Sequence, residues 1–364
     1  MPFITDKLKG MEQKSIVLHS ESQVDIEGKH LVTRFRFKAE DVVEKLRARI
    51  YGQDEIIDRL EETLKIIWSD ISDPFRPLYV GLFLGPTGVG KTEMIRALAE
   101  AIHGQPEAFC RIDMNTLSQE HYAAALTGAP PGYVGSKEGS SLFDPSLIEG
   151  TYSKPGIVLF DEMEKANDQV LQSLLNVMDN GVMVIPTGEK KINFRNSMIF
   201  MTSNLGAEEI MEFAHDTLKG KWKRLMYPLH PKYWGKENLL QGIVQSKLEK
   251  RFTPEFINRF DDIFVFNWLE KEGLNPILDT FMASLNRRIT KYQCMIKLDE
   301  SAKEFLLKKG FDRKYGARNL RRTIRKYVEV PLAAHLSNRL QQDQAIQYIV
   351  SNSGDALAWK EEIL

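Results

Sequence analysis

The residues with the most specific chemistry are Gly85-Pro86-Thr87-Gly88-Val89-Gly90-Lys91-Thr92. They match the phosphate-loop pattern G-x-x-x-x-G-K-[S/T]. Gly85, Gly88 and Gly90 let the backbone curl so that its N–H groups, those of Thr87 and Val89 included, face an anion. Lys91 can reach β- and γ-phosphates, and the Thr92 hydroxyl can ligate Mg²⁺. With glycine at average usage, such a pattern arises by accident in roughly one chain of this size in a hundred.

A phosphate loop binds but does not hydrolyse. The second element is the apolar run Gly156-Ile157-Val158-Leu159-Phe160, ending in Asp161-Glu162. Open α/β sheets place ligands at the carboxyl ends of strands. There Asp161 can hold Mg²⁺ directly or through water, and Glu162 can activate the attacking water as a general base. The bland alternative is a solvated acidic turn. Phosphoryl transfer also needs a polar group and positive charge near the γ-phosphate. Asn204 follows another apolar run and could polarise the water, while Arg259 and Arg318 are candidates to neutralise developing charge. Composition alone does not single them out from surface residues.

These groups need a scaffold. Tyr79–Leu84 reads as a buried strand and residues 93–102 as a helix with Ile95, Leu98, Ala99 and Ile102 on one face, so phosphate would sit at a helix N-terminus. From Tyr79 to about Asn267 strands and helices alternate, which predicts an α/β fold with a parallel sheet covered on both faces. The strand candidates are Tyr79–Leu84, Phe109–Asp113, Ile157–Phe160, Met198–Thr202 and Ile263–Phe266. Upstream, helices are expected after Glu40 and around Ile56–Ile67, and a short strand at Leu31–Phe37. Beyond Leu269 the pattern turns mainly helical: a helix over 276–292, a strand at Cys294–Leu298, a helix over 301–309, a long helix from Gly316 to about Asn338 interrupted by Pro331, and a closing strand at Ala345–Ser351. The expected organisation is an extension over 1–40, a large domain over 41–269 and a smaller α+β, mainly helical domain over 270–364.

Bulk composition excludes more than it selects. The 364 residues carry 49 basic and 50 acidic side chains, a net charge of -1, which offers no global attraction to nucleic acid or an anionic membrane. Cys110 and Cys294 are isolated, giving neither a disulfide framework nor metal-ligand spacing. No apolar run reaches the length of a membrane span, and Met1–Gly10 lacks a signal-peptide core. The expected location is cytoplasmic, with a processed organellar protein as the alternative.

Taken together the motifs resemble the AAA+ ATPases of the Clp unfoldase and disaggregase family, and within it the second ATPase module of the two-ring members. The resemblance covers about 41–351. It rests on Tyr51-Gly52-Gln53-Asp54, the phosphate loop, Gly128-Ala129-Pro130-Pro131-Gly132-Tyr133-Val134-Gly135, Leu159-Phe160-Asp161-Glu162-Met163-Glu164-Lys165-Ala166, Phe194-Arg195-Asn196, Thr202-Ser203-Asn204, Phe252-Thr253-Pro254-Glu255-Phe256-Ile257-Asn258-Arg259 and Gly316-Ala317-Arg318. The resemblance implies a P-loop NTPase large domain with a lid domain, and ATP with Mg²⁺ as ligands. It implies that Ile50 and Tyr51 line the adenine pocket, Asn204 is sensor 1, and Arg318 is sensor 2. Arg259 would be a finger reaching the ATP of a neighbouring subunit, hence a homohexameric ring. Tyr133 and Val134 would form a pore loop that grips unfolded or aggregated polypeptide.

The chain also departs from that family. It holds one ATPase module, and residues 1–40 are too short for the receiving domain and coiled coil of disaggregases, so substrates are recruited otherwise or the chain is a single-ring relative. The long segment 206–250 contains no Ile/Leu-Gly-Phe/Leu tripeptide, which argues against peptidase docking; its Trp222, Tyr227, Tyr233 and Trp234 suit a partly packed insertion better than a dedicated partner site. Phe143-Asp144-Pro145 is an addition that could reshape the pore entrance. Two rival functions remain. The basic run from Lys308 to Lys326 suits a nucleic-acid remodeller or loader, although the near-neutral charge disfavours it. A nucleotide-sensing assembly protein is the other, against which Lys91, Asp161 and Glu162 all stand intact.

Overall fold

The computed structural model describes residues 23–26, 29–117, 143–185, 190–207, 239–267, 273–312, 316–337 and 345–363. A short hairpin, β1 (Gln23–Ile26) and β2 (Lys29–Val32), comes first. The expected strand at Leu31–Phe37 is thus corrected: pairing ends at Val32, and the following backbone is anchored elsewhere, Arg36 N–H donating to the carbonyl of Ser153 at 3.0 Å. Phe35 and Phe37 are buried all the same, so burial without strand pairing produced the apolar signal. Helices α1 (Ala39–Arg49) and α2 (Asp54–Trp68) follow. Helix α1 begins with Glu40 and Asp41 and ends with Arg47 and Arg49, which complements its dipole.

The central sheet is built from β3 (Tyr79–Leu84), β4 (Cys110–Asp113), β5 (Gly156–Asp161), β8 (Ser197–Ser203) and β9 (Asp262–Val265). Its order is β4-β5-β8-β3-β9 and every pairing is parallel. Side chains alternate between two cores, as the strand period of two requires. Val80, Leu82 and Leu84 face one side with Val158, Phe160, Ile199 and Met201. There they meet Val170, Leu174 and Met178 of α4 (Asp168–Asn180) and Leu248 of α5 (Leu239–Arg251). Tyr79 and Phe83 face the other side with Ile157, Leu159, Met198 and Phe200, packed on α1, α2 and α3 (Lys91–His103). Helix α4 starts where the Asn167 side chain accepts from Val170 N–H at 2.8 Å, and ends at Gly181 with φ 63°. Between α4 and β8 lies a hairpin not expected from sequence, β6 (Val182–Ile185) with β7 (Lys190–Asn193). Phe143-Asp144-Pro145 opens a short helix over Pro145–Glu149: Phe143 is buried and the Asp144 carboxylate caps Ser146 N–H at 2.9 Å.

A separate core holds the smaller part: α6 (Leu274–Ile289), β10 (Cys294–Leu298), α7 (Glu300–Gly310), α8 (Ala317–Ile324), α9 (Val330–Ser337), β11 (Ile346–Asn352) and β12 (Leu357–Ile363). Pro331 does not break the chain of helix. A π-helical stretch over Arg325–Glu329 precedes it, and the wider turn leaves room for a proline ring that an α-helical carbonyl four residues back would meet. The strand over 345–351 does not close the domain, because β12 pairs antiparallel beyond it. No helix among the described residues is long and apolar enough to cross a membrane.

Gly81 in β3 shows how tightly the sheet is filled. The Tyr79 ring folds back over it, so an added Cβ would lie 2.7 Å from ring atoms. That ring is fixed by its hydroxyl, which donates to Asp262 at 3.2 Å, and by Phe200 at 5.6 Å between centroids. Gly81→Ala should therefore destabilise the protein by roughly 1–3 kcal/mol, read as a lower urea midpoint at unchanged slope.

Candidate active site

Gly85, Gly88 and Gly90 have φ of 142°, 82° and 107°, a region open to glycine and strained for other residues. The loop they form delivers Lys91 and Thr92 to the first turn of α3. The Lys91 ammonium donates to the carbonyls of Gly85 and Pro86, the latter at 3.1 Å, and to Asn204 Oδ1 at 2.9 Å. Burial pushes its pKa down to about 8, partly offset by Glu164 and Asp161.

Asp161 ends β5 and is nearly buried. One of its oxygens accepts from the Thr202 hydroxyl; the other accepts from Arg111 Nε at 3.1 Å and Nη2 at 2.6 Å. Glu162, next in sequence, sits in the left-handed region at φ 60°, ψ 52°. Its N–H donates to Thr202 Oγ1 at 3.1 Å. A non-glycine residue held there carries about 1–3 kcal/mol of strain, and such strain clusters at working sites. Asn204 is held by Glu164: its backbone N–H donates to the carboxylate at 3.3 Å and its Nδ2 at 3.2 Å.

One cleft of about 630 Å³ gathers these groups. It is lined by Ile50 and Tyr51, by Thr87 through Thr92, by Asp161, Glu162 and Asn204, and by Arg318 from α8. The smaller part closes it from above: Ala317 N–H donates to the Gly88 carbonyl at 3.1 Å. Gly316 comes so near that an added Cβ would lie 2.6 Å from that oxygen. A phosphate-sized anion matches the glycine loop and the buried ammonium, and a hard divalent cation matches the oxygen donors Thr92 and Asp161.

Arg259 is not among the lining residues. It follows the short helix Pro254–Ile257 and pairs with Asp179 at 2.7 Å, near the end of α4. Tyr133 and Val134 lie outside the described residues, as does most of the 206–250 segment. Sequence reading missed Arg111, Glu164 and Asp179, whose contacts join residues 40 to 80 positions apart. Only Glu164, inside the Asp161–Ala166 motif, had a local signal.

Comparison with known proteins gives the chain its relatives. A model described as "AAA domain (Cdc48 subfamily)" matches 76–263, and one described as "C-terminal, D2-small domain, of ClpB protein" matches 269–348. An "ATP-dependent protease ATP-binding subunit-like protein AmiB" from Pseudomonas aeruginosa is 44% identical over 352 residues, covering 94% of both chains. The chaperone protein ClpB of Aquifex aeolicus is 39% identical over 295 residues, 80% of this chain but 27% of that protein. Among solved structures, a closed-state reconstruction of Hsp104 with ATPγS and FITC casein superposes with TM-score 0.72 at 28% identity, covering 89% of this chain and 52% of that one.

The depressed Lys91 pKa gives opposite pH trends for binding and stability. Phosphate needs the charged ammonium, so ADP affinity measured calorimetrically should hold to pH 7 and weaken as pH rises through about 8. The nucleotide-free fold should show the reverse. Between about 8 and the ordinary lysine value the unfolded chain binds the extra proton, so wild type should gain stability relative to Lys91→Met as pH rises across that window. A pH-independent affinity would remove Lys91 from the phosphate site.

Proposed function

Because this chain belongs to the AAA+ ATPases of the Clp family and is therefore an ATP-hydrolysing enzyme, we propose that it works as a ring motor that pulls polypeptide through a central pore, unfolding or disaggregating it. The observation that carries this reading is the position of Arg259. Lys91, Thr92, Asp161, Glu162, Asn204 and Arg318 line one cleft of one chain, while Arg259 stands outside it on Asp179. A positive group missing from its own site fits a heterologous interface, in which each subunit completes the next and the repeat closes into a ring. The Hsp104 neighbour, which was reconstructed with ATPγS and FITC casein, supports a nucleotide in the cleft and a polypeptide substrate.

In this reading the buried Lys91 ammonium and the loop N–H groups bind the β- and γ-phosphates of ATP, and Ile50 and Tyr51 hold the adenine. Thr92 and Asp161 hold Mg²⁺, which supplies positive charge against the phosphate oxygens. Glu162 accepts a proton from the attacking water, and its strained backbone fixes the direction of the carboxylate. Asn204, clamped by Glu164, orients that water. Arg318 neutralises charge from the same chain and Arg259 from the next, so ADP and phosphate leave a site whose closure both subunits sense. Tyr133 and Val134 of the pore loop then wedge against an extended chain, and each cycle moves it one step.

Two inactive variants test the shared site. Glu162→Gln should bind ATP and lose about 10²–10⁴ in turnover, and Arg259→Ala should bind and not hydrolyse. Mixed in equal amounts, they should recover activity in about a quarter of the sites, where an intact Glu162 meets a neighbour's intact Arg259. Light scattering should show six-fold assembly with ATP. Active monomers, or no recovery at any ratio, would refute the ring.

The substrate assignment has its own check. Tyr133→Ala should keep ATP turnover within about twofold of wild type while losing unfolding of a tagged, folded protein. Normal unfolding by that variant removes Tyr133 from the grip.

A further inference from the structure

Each carboxylate oxygen of Asp161 already has a partner. Thr202 donates to one, and the guanidinium of Arg111 forks onto the other at 3.1 and 2.6 Å. Arg111 comes from β4, the edge strand beside β5, two residues before Asp113, which is the register partner of Asp161. Alternation along β4 buries Cys110 and Ile112 and turns Arg111 and Asp113 toward the cleft they both line. The two partners differ sharply in what they can tolerate. The Asp161 side chain is 12% exposed and the Arg111 side chain 49%. A near-buried carboxylate without a counter-charge is costly, whereas a half-exposed guanidinium can swing into water with little loss. A divalent cation bound to the same oxygen at about 2.0–2.1 Å leaves no room for the fork.

We propose that Arg111 is a placeholder cation. It neutralises Asp161 while the cleft is empty and yields the oxygen when metal arrives together with nucleotide. This rests on the reading above that Asp161 is a metal-holding carboxylate. The exchange makes free divalent cation a poor competitor for the empty site, because it must displace a charge already in place. With nucleotide, phosphate oxygens add ligands that Arg111 cannot supply, and the balance turns toward the metal. Arg111 acts through Asp161 and is a positioning residue.

Mn²⁺ replaces Mg²⁺ as a paramagnetic probe, and its binding to the full chain can be read by electron paramagnetic resonance without any turnover. Without nucleotide, Arg111→Gln should bind Mn²⁺ about fivefold more tightly than wild type. Arg111→Lys keeps the charge but loses the fork and should fall between, which also serves if the glutamine variant does not fold. With saturating ADP every variant should bind Mn²⁺ more tightly and the order should remain, since wild type still gives up the Arg111 fork when the metal binds. Unchanged or weaker Mn²⁺ binding in both Arg111 variants, with or without ADP, overturns the placeholder. Asp161→Asn separates the two readings. If it leaves Mn²⁺ binding with ADP intact, the metal assignment of Asp161 fails. If it abolishes that binding while the Arg111 variants behave as wild type, the metal reading stands and only the placeholder falls.

Discussion

The buried ammonium of Lys91 cannot stay charged without oxygen partners, and the need for them organises the centre of the molecule. Its partners come from two strand ends: the Gly85 and Pro86 carbonyls after β3, and Asn204 Oδ1 after β8. Asn204 is fixed in turn by Glu164, which follows β5. One cation thus ties the ends of β5, β8 and β3, which are neighbours in that order in the sheet. The parallel arrangement is what allows this, since it brings all the carboxyl ends to one edge. An antiparallel neighbour would send its loop to the opposite edge and leave Lys91 with solvent on one side.

The same edge handles negative charge by sharing donors. Thr202 donates its hydroxyl to Asp161 while its oxygen accepts the N–H of Glu162. One side chain on β8 therefore holds both the carboxylate of Asp161 and the backbone of Glu162, two successive acids. Asp161 points into a polar pocket where cations gather. Glu162, forced into the left-handed region, is turned off the strand axis toward the cleft. The Arg251 guanidinium reinforces this corner, donating to the Glu164 carbonyl at 3.2 Å and to that of Ala166, so α5 braces the turn that follows β5.

What the sequence disclosed follows from the range of the interactions concerned. The three inner strands β3, β5 and β8 were legible because each is buried on both faces and reads as a continuous apolar run, whereas the edge strands β4 and β9 carry shorter, partly exposed patterns. The site residues on the phosphate loop and after β5 were legible because they lie side by side in the chain. Strand β12 was not: Lys360, Glu361 and Glu362 interrupt its apolar pattern, and its pairing with β11 supplies what the sequence pattern lacks. Arg111 was invisible for a related reason. A charged residue on an edge strand looks like any solvated one until the fold puts Asp161 beside it, 50 positions away. Phe35 and Phe37 misled in the other direction, since an apolar pair can be buried by tertiary packing without joining a sheet.

The lid bears on the cleft at a point where there is no slack. Ala317 N–H uses the Gly88 carbonyl, and Gly316 leaves no space for a side chain against it. Gly88 belongs to the glycine loop that lines the cleft, so any shift of that loop must move the start of α8 or break this bond. Arg318 lies one residue further along the same helix and lines the cleft. The small domain is thereby joined to the glycine loop through backbone, and it sets the Arg318 charge beside the same cleft. A bond at so close a contact would pass a shift of the loop to the start of α8, and a packed body answers such a push as a unit, by rotation rather than by local deformation. A rigid lid core of the kind built from α6, α7, α8 and β11 is what makes such a rotation transmissible rather than absorbed.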